Sequence, residues 1–112
     1  MAYTIAMVFI ETPTFTRLLA SILSDEEYTA FQLQLLANPE AGALIPGSGG
    51  LRKLRTSVSG KGKRGGARVI YLLNSQREHC YLLLIYKKNS LENPTARQLR
   101  QLRLAITESL AE

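Results

Sequence analysis

The side chains with the most capacity for chemistry are cations clustered along the chain. Between Glu40 and Glu78 there is no acid, while the interval carries Arg52, Lys53, Arg55, Lys61, Lys63, Arg64, Arg68 and Arg77, eight of the fourteen basic residues. Lys87 and Lys88 close the next apolar run. Guanidinium and ammonium groups hold phosphate oxygens through charge-assisted hydrogen bonds and stabilise negative charge that develops on a phosphate during strand cleavage. Such a block repels itself until an anion neutralises it, so a partner bearing phosphates or carboxylates is implied. The plainer reading is a solvated basic loop with no partner.

Other chemistries are poorly supplied. One histidine, His79, and one cysteine, Cys80, cannot build a disulfide framework or a Cys/His zinc site, so no metal and no cofactor are expected, and a reducing cytoplasm suits the chain. A nucleophilic triad would have only His79 to use, and neighbours on a strand point to opposite faces. His79 is expected in a hairpin turn and dispensable, Cys80 in the core. The apolar stretch Tyr3 to Ile10 falls short of the roughly 18–20 residues that cross a bilayer and follows no basic segment, so neither a membrane span nor a secretory signal is expected. At 112 residues, the whole chain 1–112 reads as one domain.

The elements that must position the cations follow from periodicity. Tyr3 to Ile10 is apolar on both sides, which predicts a strand inside a sheet. Thr12-Pro13 caps a helix whose Phe15, Leu18, Leu19, Ile22 and Leu23 repeat at helical spacing, and Ser24 with Glu27 makes a capping box for a second helix burying Tyr28, Phe31, Leu35 and Leu36. Ala41 to Gly50 reads as loop. Leu51 to Val58 predicts a strand with Lys53, Arg55 and Ser57 on one face and Arg52, Leu54 and Thr56 on the other. Arg68 to Asn74 and Cys80 to Lys87 predict a hairpin. Asn93 with Pro94 is expected to cap a last helix with Leu99, Leu102, Ile106 and Leu110 as its buried stripe. The order β-α-α-β-β-β-α, with about four largely antiparallel strands and helices on one face, is of the α+β class.

Gly60-Lys61-Gly62-Lys63-Arg64-Gly65 matches the glycine pattern of a dinucleotide loop, but that fingerprint must open a helix and here a strand follows, which predicts a hairpin turn. In a three-strand meander the end of the first strand, the start of the second and the end of the third share one edge of the sheet. Lys53, Arg55, Arg68, Lys87 and Lys88 are therefore expected to converge.

The runs Gly49-Gly50-Leu51-Arg52-Lys53-Leu54-Arg55, Gly60 to Tyr71 and Leu84-Ile85-Tyr86-Lys87-Lys88 resemble the RelE/HigB toxin family of type II toxin–antitoxin modules, nearest to its HigB-like branch. The resemblance covers most of the chain. It implies a ribosome-dependent endoribonuclease that cuts mRNA in the A site without metal, the 2′-hydroxyl attacking the adjacent phosphate. It also implies a cognate antitoxin, often a helix-turn-helix HigA-like protein, and cytoplasmic action on the ribosome. In this reading Arg68 holds the scissile phosphate, Lys53 or Arg55 is base or electrostatic stabiliser, and Lys87 belongs to the catalytic set. Arg52, Lys61, Lys63, Arg64 and Lys88 contact RNA or ribosome. Some members carry a catalytic tyrosine near the C-terminus, and this chain has none after Tyr86. The resemblance also embraces ParE-like proteins, which share the fold and inhibit DNA gyrase by binding alone. A general RNA-binding module would interleave aromatics with the cations, and the basic block lacks them.

Overall fold

A computed structural model describes residues 7–58, 66–74, 76, 78–88 and 94–111, with side chains as far as Ile106. The elements are β1 (Val8–Glu11), α1 (Pro13–Ile22), α2 (Asp25–Ala37), β2 (Ala43–Leu44), β3 (Arg52–Thr56), β4 (Ala67–Asn74), β5 (His79–Lys87) and α3 (Ala96–Ala111). They form an α+β fold around a five-stranded sheet of order β1-β5-β4-β3-β2, antiparallel except where β1 runs parallel to β5. Residues 3–6 of the expected first strand, and the basic turn with Lys61, Lys63 and Arg64, lie outside the described residues.

Three expectations are corrected. The first strand is an edge strand, and Val8 is 51% exposed. Phe9 packs on the α1–α2 side and Ile10 on the α3 side, so β1 is apolar on both faces although it stands at the edge. The strands number five, because the Gly/Pro-rich segment after α2 contains β2, two residues long. Pro46 and the glycines make the turn, while the Ser48 hydroxyl closes it, accepting from Leu51 N at 3.0 Å and donating to the Ile45 carbonyl at 2.6 Å. Helices cover both faces of the sheet, since β4 and β5 are apolar on both. Phe15, Leu23, Phe31 and Leu35 of the α1–α2 layer pack on Leu54, Val69, Tyr71, Leu82 and Ile85, whereas Leu99 and Ile106 of α3 pack on Ile70, Leu72, Tyr81 and Leu83.

The helix starts follow local rules. Thr12 caps α1, its hydroxyl accepting from Phe15 N at 3.1 Å and donating to the Leu83 carbonyl at 2.8 Å, and Pro13 stands at the first helical position. Ser24 and Glu27 form the expected capping box of α2. For α3 the expected Asn93 cap lies outside the described residues, and Thr95 does the capping: Gln98 N donates to Thr95 Oγ1 at 3.1 Å and Thr95 N to Gln98 Oε1 at 2.9 Å. Of its expected stripe, Leu99 and Ile106 are buried and Leu102 is half-buried. The Leu110 side chain is outside the described set.

The turn joining α2 to β2 is stapled to the sheet from below. The buried Tyr71 hydroxyl donates to the Pro39 carbonyl at 2.9 Å and accepts from Gly42 N at 2.8 Å. A Cβ at Gly42 would lie 2.8 Å from the Tyr71 ring, so only glycine fits there. Tyr71→Phe removes the hydroxyl and leaves a buried N–H without its acceptor, a loss of about 1–3 kcal/mol in denaturant unfolding with the secondary structure unchanged.

Candidate functional site

The expected convergence of cations is set by the strand ladder. Arg55 of β3 pairs with Arg68 of β4, and Arg68 pairs with Tyr86 of β5. The three form one cross-strand row, neighbours about 5 Å apart at Cα, near the end of the sheet.

 The row one residue in is Leu54, Val69 and Ile85, which faces α1 and α2, while Lys53, Ile70 and Leu84 stand two residues in and share the face of Arg55, Arg68 and Tyr86. Lys53 thus lies on the site's face, about 7 Å along β3 from Arg55.

A β-bulge sets which residues of β5 join this face. Ile70 pairs with Leu84 and Tyr71 with Leu82, so Leu83 is the extra residue. The bulge puts Leu83 and Leu84 on the α3 side in succession, returns Ile85 to the α1–α2 side and brings Tyr86 beside Arg68. Gly66, with φ of 55°, leads into β4 and accepts from Lys88 N at 3.3 Å, so the ladder runs one residue past Lys87.

The remaining expected site residues separate. Lys87 is exposed in the row Thr56–Ala67–Lys87, which belongs to the α1–α2 face, the opposite side from Arg68. Lys88 is exposed and follows at the same end. Arg52 is also on the α1–α2 side, where its guanidinium donates to the carbonyls of Gly42 at 2.8 Å and Glu40 at 3.3 Å and holds the stapled turn. Arg68 is half-buried, with a long 3.4 Å contact to its neighbour's carbonyl, and Arg55 is exposed. Lys61, Lys63 and Arg64 lie outside the described residues.

Tyr86 is the residue that reading the sequence missed. It is 3% exposed; burial raises its pKa and the Arg68 charge pulls the other way, so the phenol keeps its proton at neutral pH. The apolar alternation of β5 could not reveal it, because the bulge breaks that alternation. His79 is not in the turn but opens β5, paired with Asn74 at the far end of the sheet from Arg68. Its ring stands edge-on to Tyr81 at 6.1 Å, and Nδ1 is buried without a hydrogen-bond partner among the described residues. Among the described residues no three His, Cys, Asp or Glu side chains gather as a metal site.

No family model matches the chain. Its architecture is similar to a solved structure of the Escherichia coli toxin RelE, an arginine-to-alanine double mutant in the free state, with TM-score 0.60 and 14% identity over 88% of this chain and 98% of that one. The chain has the RelE fold. At that identity the likeness concerns the fold, and the chemistry rests on the residues of the sheet end.

Cys80 is fully buried and burial pushes its thiol up to about 12, so it is no nucleophile at neutral pH. Native protein at pH 8 should therefore resist iodoacetamide, and denatured protein should be alkylated stoichiometrically; rapid alkylation of the native chain would contradict this burial.

Proposed function

We propose that this chain is the toxin of a type II toxin–antitoxin pair, of the HigB-like branch, and that it cuts mRNA on the ribosome. The observation that carries the reading is the row of Arg55, Arg68 and Tyr86. Like charges directly opposite each other on neighbouring strands destabilise a sheet, and an anion between them reverses the sign of that interaction. A phosphodiester supplies such an anion.

In the proposed reaction the RNA 2′-oxygen forms a bond to the adjacent phosphorus and the bond to the 5′-oxygen breaks. The 2′-hydroxyl proton passes to a base and the leaving 5′-oxygen takes up a proton. Arg68 holds the phosphate, and Arg55 stabilises charge as it builds on the non-bridging oxygens. A guanidinium keeps its proton, so the base on this face is Lys53, which shares it with Arg55. Lys88 adds positive field at the mouth. Lys87 extends that field from the other side of the sheet, and Lys61, Lys63 and Arg64 serve encounter with ribosomal RNA, while Arg52 is held by the turn after α2. The step requires no metal. The proposed partners are the ribosome, mRNA and a HigA-like antitoxin, and the proposed compartment is the cytoplasm.

Cleavage of mRNA on translating ribosomes should persist when the toxin alone is pretreated with EDTA and freed of the chelator before it is added. Arg68→Ala should lower the cleavage rate about 10²- to 10³-fold, the usual loss of one strong transition-state contact, with a melting temperature no lower than the parent's, since a like-charge pair is removed. Full cleavage by Arg68→Ala would remove the assignment of the site. Inhibition of gyrase supercoiling with mRNA left intact would identify a ParE-like inhibitor instead.

A further inference from the structure

α3 has two flanks at the level of the sheet. Gln98, Leu102 and Ala105 repeat at helical spacing and wall an apolar groove that opens along β5 where β1 ends, floored by Leu84, Ile85 and Tyr86. Arg103 stands on the other flank. Its Nε donates to the Gly49 carbonyl at 2.9 Å, and its side chain lies across Gly49, where an added Cβ would meet Arg103 Cγ at 3.2 Å. Gly49 belongs to the turn that leads into β3, so this flank faces β3. The helical repeat puts Ala96 and Arg100 on the same flank as Arg103, and both are exposed. On this side α3 leaves part of the sheet uncovered. Its apolar layer takes Ile70, Leu72, Leu83 and Tyr86 from β4 and β5 and no residue of β3.

What stays open there is a trough. Its floor is Ala43 of β2, Lys53 and Arg55 of β3 and Arg68 of β4, which share one face by register, and its wall is the flank of Ala96, Arg100 and Arg103. Ala43 and Arg55 are exposed, and Lys53 and Arg68 are half-buried. The described carboxylates lie elsewhere: Glu11 is bonded to Thr16 and Tyr28, Asp25, Glu26 and Glu27 open α2, Glu40 is in the turn held by Arg52, and Glu78 precedes β5. Cations on floor and wall, with no large apolar anchor between them, suit a polyanion strand rather than a protein surface, whose affinity needs buried apolar side chains. Tyr86, the aromatic member of the basic row, is buried, so it offers no platform for a base. We infer that Arg100 is a substrate-binding residue: across the trough from Lys53 it holds a phosphate of the RNA strand that flanks the cleaved position, through the backbone and without reading the bases. The inference deepens the nuclease reading and rests on it for the choice of RNA as the polyanion.

The test is binding of the full chain to a short single-stranded 2′-O-methyl RNA, which lacks the attacking hydroxyl and stays intact, followed over a range of salt concentrations. At about 0.15 M salt, where exposed charges more than about 8 Å apart are largely screened, Arg100→Gln should bind about three- to fivefold more weakly. Its salt slope should fall by about 0.7, the value for one phosphate contact to a single strand. Oligonucleotides of different base composition should lose affinity alike, and Arg100→Lys should keep most of it. Arg17→Gln removes the same charge from an exposed position of α1, on the other face of the sheet, and should bind as the parent does. Arg100→Gln combined with Gln101→Arg moves the charge toward the groove flank at constant net charge and should stay weak. Parent affinity in Arg100→Gln overturns the inference, as do recovery in the double variant, equal loss in Arg17→Gln, or a parent chain that binds no oligonucleotide. Binding of polyglutamate in place of the oligonucleotide would assign the trough to an acidic polypeptide and also overturn it. Should Arg100→Gln melt early, Ala96→Glu decides, since it brings a carboxylate to an exposed position of the same flank and should weaken binding at least as much. Binding here needs no cleavage: loss of affinity in the Arg100 variants, with no mRNA cut on ribosomes by the parent, would sink the nuclease reading and leave the trough standing.

Discussion

The pairing of β4 with both of its neighbours is the constraint on which the rest depends. β4 is buried on both faces, so its register is held by two apolar layers at once, and sliding it by one residue would exchange Val69 and Tyr71 with Ile70 and Leu72 between layers packed for the other pair and turn Arg68 toward the α1–α2 core. That rigidity holds Arg55 opposite Arg68 although the two charges repel. Burial of the flanking rows supplies the opposing free energy, and the basic row persists because the core outweighs its repulsion.

The bulge at Leu83 links the core to both surfaces. By shifting the alternation of β5 it sends Ile85 to the α1–α2 layer and Tyr86 to the side of Arg68. Its carbonyl also accepts from Thr12, the residue at which the chain leaves β5 to begin α1. One irregularity thus sets the composition of the basic row, the end of the β1 pairing and the start of the groove. Arg52, although it lies within the basic run, belongs to a different task, since with Tyr71 it anchors the turn after α2.

Much of this was legible in the sequence. The helix starts at Thr12 and Ser24 follow from capping chemistry within a few residues, and the hairpin of β4 and β5 follows from β-branched and aromatic runs, so local rules suffice. The convergence of Arg55 and Arg68 is likewise a consequence of meander connectivity. What only the tertiary structure decided depends on partners distant in the chain. β2 is two exposed residues that exist as a strand because Lys53 and Arg52 lie beside them. The edge position and parallel direction of β1 come from its pairing with β5, some seventy residues away. The placement of α3 on the opposite face from α1 and α2 reflects a sheet apolar on both sides, which periodicity along one strand does not distinguish from burial within a single layer. The separation of Lys87 from Arg68, and the arrival of Tyr86 beside Arg68, turn on which face each side chain takes, and a face is a property of the paired sheet, fixed by register and by one extra residue in a neighbouring strand.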